Sequence, residues 1–230
     1  TGNSAQLLSP SAINIYLNCQ LRFYFRYIAG IPEPEELLEE VESNTLGSIL
    51  HKSMKLLYEN NINKISTKID FESIKKDTNK TEQAINQAFW EEYFSPGIPF
   101  TGSEKIEFSG KNALVKHVIQ HYVNKIINYD MLTAPLVLKN LEEKFEVIIK
   151  VNEELSIKTG GYIDRIDELN GQLRIIDYKT GKSDYKLPPL EILFDKTPGN
   201  RNNAAFQILL YCLVYKLKTG ISDINAALFF

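Results

Sequence analysis

In the first half of the chain, hydrophobic residues recur every three or four positions, which is the spacing of amphipathic helices. The clearest helix start is Ser9-Pro10, because serine caps the free N–H groups of a first turn and proline fits inside that turn. A proline-containing loop is predicted over 32–43, and the Lys-rich segment 61–79 predicts a surface connection. Helices are predicted over residues 10–30, from 45 to beyond 58, over 81–94 and over 111–130.

Between about residues 143 and 179, hydrophobic residues alternate with polar ones, which predicts half-buried strands. Asn170-Gly171 predicts a tight hairpin within this region, because both positions of a type I′ turn need positive φ. Strands are predicted over residues 145–151, 155–159, 161–168 and 172–179.

The last part of the chain returns to a helical pattern. After a loop rich in proline and glycine, residues 203–218 predict a long helix, and residues 224–230 read as an apolar strand. A buried strand is an unusual place for a natural terminus, so a fragment of a longer protein is expected.

This order of elements predicts an α/β fold with a mixed central sheet flanked by helices. We expect a single domain over 1–230, with a mainly helical part over 1–135 and a sheet core over 136–230. No internal repeat is present in the sequence, so a protein-interaction scaffold of tandem helices is not favoured.

Composition narrows the class of protein. The chain has 230 residues, a formal net charge of −3 and two cysteines. The charge weakly disfavours a protein that coats nucleic acid nonspecifically, but it fits an enzyme whose positive charge is local. Two cysteines do not make a disulfide framework and the first residues lack the features of a signal peptide, so the cytoplasm is expected. No run of about 18 apolar residues is present, so no membrane span is expected.

The hairpin predicts which residues of its two strands face one another. With Asn170-Gly171 as the turn, Asp167 faces Arg174 and Ile166 faces Ile175. An opposite-charge pair and a pair of β-branched residues are both favourable across two strands, which supports this register.

The same register places Asp164 opposite Asp177, with Lys179 on the same face because side chains two apart in a strand share a face. Two opposed carboxylates repel one another, so the pair is stable only if it shares a proton or holds a cation. Oxygen ligands suit Mg²⁺, with Mn²⁺ as a substitute. Beside that ion, Lys179 could orient a water molecule or stabilise charge on a phosphate, as in metal-assisted phosphodiester hydrolysis. The alternative is a surface hairpin with scattered charges.

The stretch Gly161-Tyr162-Ile163-Asp164-Arg165-Ile166-Asp167, followed by Asp177-Tyr178-Lys179-Thr180-Gly181, resembles the nuclease domain of RecB/AddB-type helicase–nucleases. That group belongs to the PD-(D/E)XK superfamily. The resemblance implies a restriction-endonuclease-like core, with the sheet flanked by helices 45–60 and 203–218 and an N-terminal helical region.

The resemblance also implies the metal ligands. Gly47 to His51 looks like the family's upstream helix, whose histidine binds the metal, whereas on its residues alone His51 also fits a half-buried histidine of an amphipathic helix. A neutral imidazole is a reasonable third ligand beside two carboxylates. Tyr178 is predicted to point away from Asp177, so only its backbone carbonyl is a candidate ligand. The predicted metal ligands are His51, Asp164, Asp177 and Tyr178.

Three further positions match the family's site. The acidic residue before the first core strand matches Glu142, with Glu143 adjacent. Gln207 and Tyr211 share one helix face, where they either pack the helix or approach the metal site, and the resemblance implies the second. The predicted catalytic residues are Asp164, Asp177, Lys179, Gln207, Tyr211 and Glu142.

Two other metal sites are less well supported. His117 and His121 are four apart on a helix, but the glutamate that follows the first histidine in zinc peptidases is missing. Cys19 matches, by position, the first of four cysteines that bind an iron–sulfur cluster in some relatives. The chain shows no other three at the family's positions, and Cys212 lies within a helix, so no cluster is expected in this chain.

The expected function is Mg²⁺-dependent cleavage of DNA phosphodiester bonds, as the nuclease module of a repair or recombination helicase–nuclease. DNA is then the substrate, and a helicase domain or subunit is the expected partner. No Walker A sequence is present, so an ATP-driven motor would lie elsewhere. The alternative is a catalytically silent domain with a structural or DNA-holding role, which would have no reason to retain buried like charges.

Overall fold

The computed structural model describes residues 7–31, 43–181, 187–197 and 201–229. The predicted α/β fold with a mixed sheet is confirmed. The helices are α1 (Pro10–Asn18), α2 (Gln20–Phe23, continued by a π-helix Tyr24–Ile28), α3 (Ser43–Tyr58), α4 (Lys68–Lys76), α5 (Thr78–Phe89, continued by a π-helix Trp90–Phe94), α6 (Gly110–Thr133) and α7 (Asn203–Thr219), with short 3₁₀ turns at Glu59–Asn61 and Leu190–Phe194. The strands are β1 (Ile65–Ser66), β2 (Leu136–Lys150), β3 (Ser156–Leu169), β4 (Gln172–Tyr178) and β5 (Ile224–Phe229).

The prediction of a surface connection over 61–79 is wrong. This segment holds β1 and α4, and α4 begins with a capping box in which Thr67 and Asp70 satisfy each other's backbone N–H groups. Only Phe71 and Ile74 of α4 are buried. The segment is therefore a short amphipathic helix, and the many lysines on its exposed face made its sequence resemble a surface loop. The predicted loop over 32–43 lies mostly outside the described residues.

The sheet has the order β1-β2-β3-β4-β5. Its strands pair antiparallel except β4 and β5, which pair parallel. The hairpin register is confirmed, with Asp167 opposite Arg174 and Ile166 opposite Ile175. Asn170 has a φ of 53° and its neighbour in the turn a φ of 79°, as a type I′ turn requires.

The two strands predicted over 155–159 and 161–168 are one continuous strand, β3. Gly160 and Gly161 interrupt the hydrophobic pattern, but they allow a close approach rather than a break. Gly160 has a φ of 150°, and a Cβ placed there would lie 2.0 Å from the carbonyl oxygen of Phe145 on β2. The glycine therefore lets β2 and β3 stay paired on both sides of this position.

Helices cover both faces of the sheet. Ile175 and Ile176 are neighbours in β4 and so point to opposite faces. Ile176 packs in a core with α3, α4, α5 and α6, whereas Ile175 packs against α7. The first core includes Leu50, Leu57, Phe71, Phe89, Ile119, Val123, Ile127 and Leu138, and the second includes Phe145, Ile166, Ile208 and Val214. Among the described residues, no helix is long and apolar enough to cross a membrane.

Gly160 offers a direct stability test of the β2–β3 pairing. Gly160→Ala is expected to lower the free energy of unfolding by about 2 kcal/mol or more, because the new Cβ must displace backbone atoms and sits at a disfavoured φ. Urea denaturation monitored by circular dichroism measures the change. Gly47→Ala is the matched control, because Gly47 lies within α3 and the nearest atom to its new Cβ is 3.8 Å away. The control should be neutral or slightly stabilising, and equal losses in both variants would contradict this account of Gly160.

Candidate metal centre

The candidate site lies at the end of β4, between α3 and α7. α3 is amphipathic with Leu50 and Met54 in the core, which leaves His51 half-buried and directed toward the strand end. Nε2 of His51 lies 3.0 Å from the carbonyl oxygen of Tyr178 and 3.4 Å from Oδ2 of Asp164. The histidine predicted from the sequence is therefore brought against one of the two predicted aspartates and against the predicted carbonyl.

Glu142, rather than Glu143, lies at this site. Oε1 of Glu142 is 3.3 Å from Nδ1 of His51, whereas Glu143 is exposed and accepts a hydrogen bond from Asn140. The backbone of Glu142 has a φ of 49°, a left-handed conformation that costs free energy for a non-glycine residue. Its Oε1 is buried, and its contact with the His51 ring is longer than a strong hydrogen bond, so this oxygen keeps lone pairs that a cation would bind.

Asp164 and Asp177 are both buried, and they have different partners. Asp164 accepts a hydrogen bond from the backbone N–H of Tyr178 at 2.7 Å. Asp177 has Nζ of Lys179 2.6 Å from its Oδ2, and its Oδ1 accepts a hydrogen bond from Gln207 at 3.0 Å. The pairing between β3 and β4 ends at Arg165–Ile176, one position before the two aspartates.

Gln207 links the lysine to α7. Its side-chain oxygen accepts a hydrogen bond from Lys179 at 3.1 Å, and its amide nitrogen lies 3.3 Å from the hydroxyl of Tyr211. Tyr211 is buried, and a Cβ added at Gly161 would lie 3.2 Å from its ring. The two residues predicted on one face of the helix therefore both lie beside the strand ends.

The ligand atoms that come together are those of His51, Glu142 and Asp164, which all lie within 4.8 Å of one another. Asp177 lies outside this group, because its carboxylate is engaged by Lys179 and Gln207. The structure thus separates the predicted residues into a three-ligand cluster, with the carbonyl of Tyr178 beside it, and an adjacent Asp–Lys pair.

The electrostatics of the cluster fit a cation. Burial raises the pKa of Asp164 to about 8, because the attraction of His51 does not offset desolvation and the repulsion of Asp177. Burial alone would lower the pKa of His51, but the carboxylates of Asp164 and Glu142 outweigh it and raise this pKa to about 9. Burial also raises the pKa of Asp177, against the opposing effect of Lys179.

One imidazole, two carboxylates and one carbonyl form an oxygen-rich donor set that suits a divalent ion such as Mg²⁺ or Mn²⁺. Burial leaves the Oε1 of Glu142 and the carboxyl of Asp164 short of compensating positive charge, which a cation would supply. The residues present therefore fit a divalent metal.

Metal affinity is expected to depend on pH. Asp164 and His51 hold protons below pH values of about 8 and 9, and both protons must leave before the ligand atoms bind a cation. The dissociation constant for Mn²⁺ should therefore fall by about tenfold or more per pH unit between pH 6 and 8, then level off above pH 9. Calorimetric titration in buffers of different ionisation enthalpy measures both the affinity and the protons released.

Glu142→Gln and Glu143→Gln form the matched pair for this titration. Glu142→Gln should weaken Mn²⁺ binding, whereas Glu143→Gln should leave the affinity and its pH dependence as in the wild type. A wild-type dissociation constant that stays constant from pH 6 to 9 would contradict the assignment of the protonated ligands.

Behind the site, on the α3–α6 face of the sheet, lies a set of buried charged and phenolic side chains that we call the Arg165 network. Arg165 donates two hydrogen bonds to Asp130 of α6, at 2.7 and 2.9 Å, and one to Asp167 at 2.7 Å. The network consists of Arg165, Asp130, Asp167, Arg174, Tyr58 and Tyr178. The sequence pattern gave no sign of Asp130 or Tyr58, because both lie on helices far from the strands in sequence.

A third residue that the pattern did not reveal is Glu92, in the π-helix that follows α5. Burial raises its pKa, Lys52 opposes this, and the carboxylates of Glu91 and Glu142 add to it. Lys52 itself lies 2.6 Å from Glu91. Glu92 therefore lies close enough to Glu142 for the two carboxyls to repel one another, and a cation at the cluster would relieve that repulsion.

The remaining candidates stand apart from the cluster. His117 and His121 are exposed on α6, where they line a polar cavity of about 300 Å³ with residues of α4 and α5, and among the described residues they form no three-ligand group. Cys19 is exposed at the break between α1 and α2, and Cys212 is half-buried in α7.

Comparison with known proteins agrees with the motifs. A family model for the PD-(D/E)XK nuclease superfamily matches residues 7–230. The chain is 26% identical over 181 residues, 78% of its length, to an ATP-dependent helicase/deoxyribonuclease subunit from Streptococcus agalactiae. It is 24% identical over 177 residues, 76% of its length, to the protein of the same name from Streptococcus uberis. In each case the matched region is 14% of the relative, so the chain spans about one seventh of the length of these relatives.

Proposed function

Because the chain belongs to the PD-(D/E)XK nuclease superfamily, we propose that it is a nuclease domain that hydrolyses DNA phosphodiester bonds with a bound divalent metal. The observation that carries this proposal is the convergence of His51, Glu142 and Asp164 within 4.8 Å, beside the Asp177–Lys179 pair. We also propose that residues 1–230 form a single nuclease domain.

In this proposal His51, Glu142, Asp164 and the carbonyl of Tyr178 hold the metal, and Mg²⁺ is the ion expected. A divalent ion bound there would polarise a phosphate oxygen and neutralise developing negative charge. Asp177 lies next to this cluster and adds a third carboxylate to the site. Its burial keeps water from screening that charge.

Beside the cluster, Lys179 supplies a positive charge that comes from the protein rather than from the metal. Its ammonium group is held by Asp177 and by the side-chain oxygen of Gln207, at 2.6 and 3.1 Å. Held in this way, it orients an attacking water or stabilises charge on the scissile phosphate. Gln207 fixes the lysine, and Tyr211 supports Gln207 from one turn further along α7.

The relatives suggest the wider assembly. Their name combines a helicase and a deoxyribonuclease, and this chain corresponds to about one seventh of their length. We infer that this domain acts as the nuclease module of a DNA repair or recombination helicase–nuclease, with DNA as substrate and a helicase domain or subunit as partner.

Cleavage of linear and plasmid DNA by the purified chain tests the proposal. Mg²⁺ or Mn²⁺ should support cleavage, EDTA should abolish it, and His51→Ala should reduce both metal binding and cleavage. His117→Ala is the matched control, since it removes an exposed histidine outside the cluster. A chain that binds the metal at the cluster but cleaves no DNA under any of these conditions would instead be the catalytically silent domain.

A further inference from the structure

We propose that Asp130, on a helix that carries none of the candidate site residues, is a positioning residue for the metal centre and acts through the Arg165 network. In calling the cluster a metal centre, this inference rests on the proposed function. The geometry that supports it consists of three contacts, which join α6 to β3, β3 to β4, and α6 to α3.

The first contact is made by Arg165, the residue that follows Asp164 in β3. Both of its terminal nitrogens bind the carboxylate of Asp130, at 2.7 and 2.9 Å, in a side-by-side arrangement that fixes direction as well as distance. All atoms of both side chains are buried. The backbone that carries Asp164 is thereby tied to α6.

The second contact involves Tyr178. Its hydroxyl accepts a hydrogen bond from Arg165 at 3.4 Å, while its backbone N–H and carbonyl groups both contact residues of the site. The N–H of Tyr178 donates to Asp164 at 2.7 Å, and its carbonyl oxygen lies 3.0 Å from Nε2 of His51. One residue therefore has its ring anchored in the network and its peptide groups anchored in the cluster.

The third contact reaches α3. Tyr58 lies seven residues after His51, so both side chains point from the same side of the helix. The hydroxyl of Tyr58 donates to Asp130 at 2.7 Å, within a fully buried environment. A single carboxylate thus holds the helix that carries His51 and, through Arg165, the strands that carry Asp164 and Tyr178.

Stability alone gives no reason for this network. Two arginines and two aspartates balance in charge, but such groups cost desolvation free energy, and apolar side chains of similar size are often as stabilising. The surrounding core of α6 is apolar, with Val123 and Ile127 fully buried. Apolar packing would not hold three separate elements in fixed directions, as these hydrogen bonds do. Mutation of residues that orient metal ligands in this way typically weakens metal affinity by about 10- to 100-fold.

The test compares Asp130→Asn with Ile127→Val in the full chain. Asp130→Asn keeps the shape of the side chain and removes its charge, whereas Ile127→Val lowers stability from the same helix without removing a charge or a hydrogen bond of the network. Tyr58→Phe removes only the hydrogen bond from Tyr58 to Asp130, and it carries the test if Asp130→Asn does not fold. Measurements are made at a temperature where circular dichroism shows each variant fully folded.

Two readouts are taken. In the metal-free protein at fixed pH, the NMR resonances of the His51 ring should move in Asp130→Asn and Tyr58→Phe but not in Ile127→Val. The dissociation constant for Mn²⁺ should rise by about tenfold in the first two variants only. Wild-type ring resonances in both network variants would overturn the proposal, and so would an equal weakening of Mn²⁺ binding in Ile127→Val.

The two readouts also separate this inference from the proposed function. Displaced His51 resonances, together with a wild-type chain that binds no Mn²⁺, would uphold the positioning role and reject the metal-dependent nuclease. Mn²⁺ binding and DNA cleavage that survive unchanged in both network variants would uphold the nuclease and reject the positioning role.

Discussion

Asp164→Asn is expected to abolish DNA cleavage while raising the melting temperature of the metal-free protein. Asp164 is a ligand of the cluster, so its loss should reduce the cleavage rate by about 10³-fold or more. In the metal-free fold the same carboxylate is buried beside Asp177 and Glu142, and this raises its pKa to about 8. The amide of asparagine can still accept the hydrogen bond from Tyr178 but carries no charge.

The sign of the stability effect follows from linkage. A carboxyl whose pKa is higher in the folded state than in the unfolded state stabilises the fold at low pH, and this contribution is lost as pH rises from about 4 through about 8. The raised pKa of His51 acts in the same direction, up to pH 9. Metal-free wild type should therefore melt at lower temperature as pH increases over this range.

Differential scanning calorimetry with EDTA measures this effect. At pH 8, Asp164→Asn should melt about 2–6 °C above wild type, and its melting temperature should depend less on pH. Millimolar Mg²⁺ should then stabilise wild type but not the variant, by mass action on the folded state. Glu168→Gln, on the same strand but outside the cluster, should behave as wild type. A variant that melts below wild type at pH 8 and still responds to Mg²⁺ would contradict the burial of Asp164 at a metal site.

Lys179→Met is expected to reduce the cleavage rate by about 10²-fold or more and to leave Mn²⁺ affinity nearly unchanged. Lys179 contacts Asp177 and Gln207 rather than the three-ligand cluster, so its charge is available to the reacting phosphate. Single-turnover cleavage at saturating metal measures the rate, and calorimetry measures the affinity. Lys179→Arg should recover part of the rate because it restores the charge.

Lys158→Met is the matched control for Lys179. Lys158 forms an ion pair with Glu146 on the β2–β3 surface and contacts no residue of the site. The control should cleave DNA at the wild-type rate. If Lys179→Met also does so, Lys179 has no part in the reaction.

The hairpin was predictable because it is local. Asn170-Gly171 sets the register, and the pairs on either side check it, so the relative places of Asp167 and Arg174 followed from counting. A choice between Glu142 and Glu143 could not be made in the same way. The choice depends on an irregularity in the pairing of β2 with β3 and on the positive φ of Glu142. Neither feature can be recognised from the hydrophobic pattern.

The sequence placed Lys179 on the face of Asp177 and the resemblance placed Gln207 near the metal site, but the hydrogen bond between Gln207 and Asp177 was not predictable. Its carboxylate was expected to bind the metal with Asp164, and only the approach of α7 brings Gln207 to it. The same holds for Asp130, whose contact with Arg165 joins residues 35 positions apart on different elements. Local patterns predict strands and turns, whereas contacts between distant elements depend on packing that a single sequence does not display.

Some residues of the site are close together in sequence and others are far apart, and this difference implies an order of folding. The β3–β4 hairpin closes through a two-residue turn, so Asp164 and Asp177 approach each other early. His51 lies 127 residues before Tyr178, and the parallel pairing of β4 with β5 requires the long connection through α7. Because such distant contacts cost more chain entropy, they form late. During folding, the two aspartates and the neighbouring Lys179 are therefore expected to come together before His51 joins them, so the metal centre is complete only when the distant helices have docked.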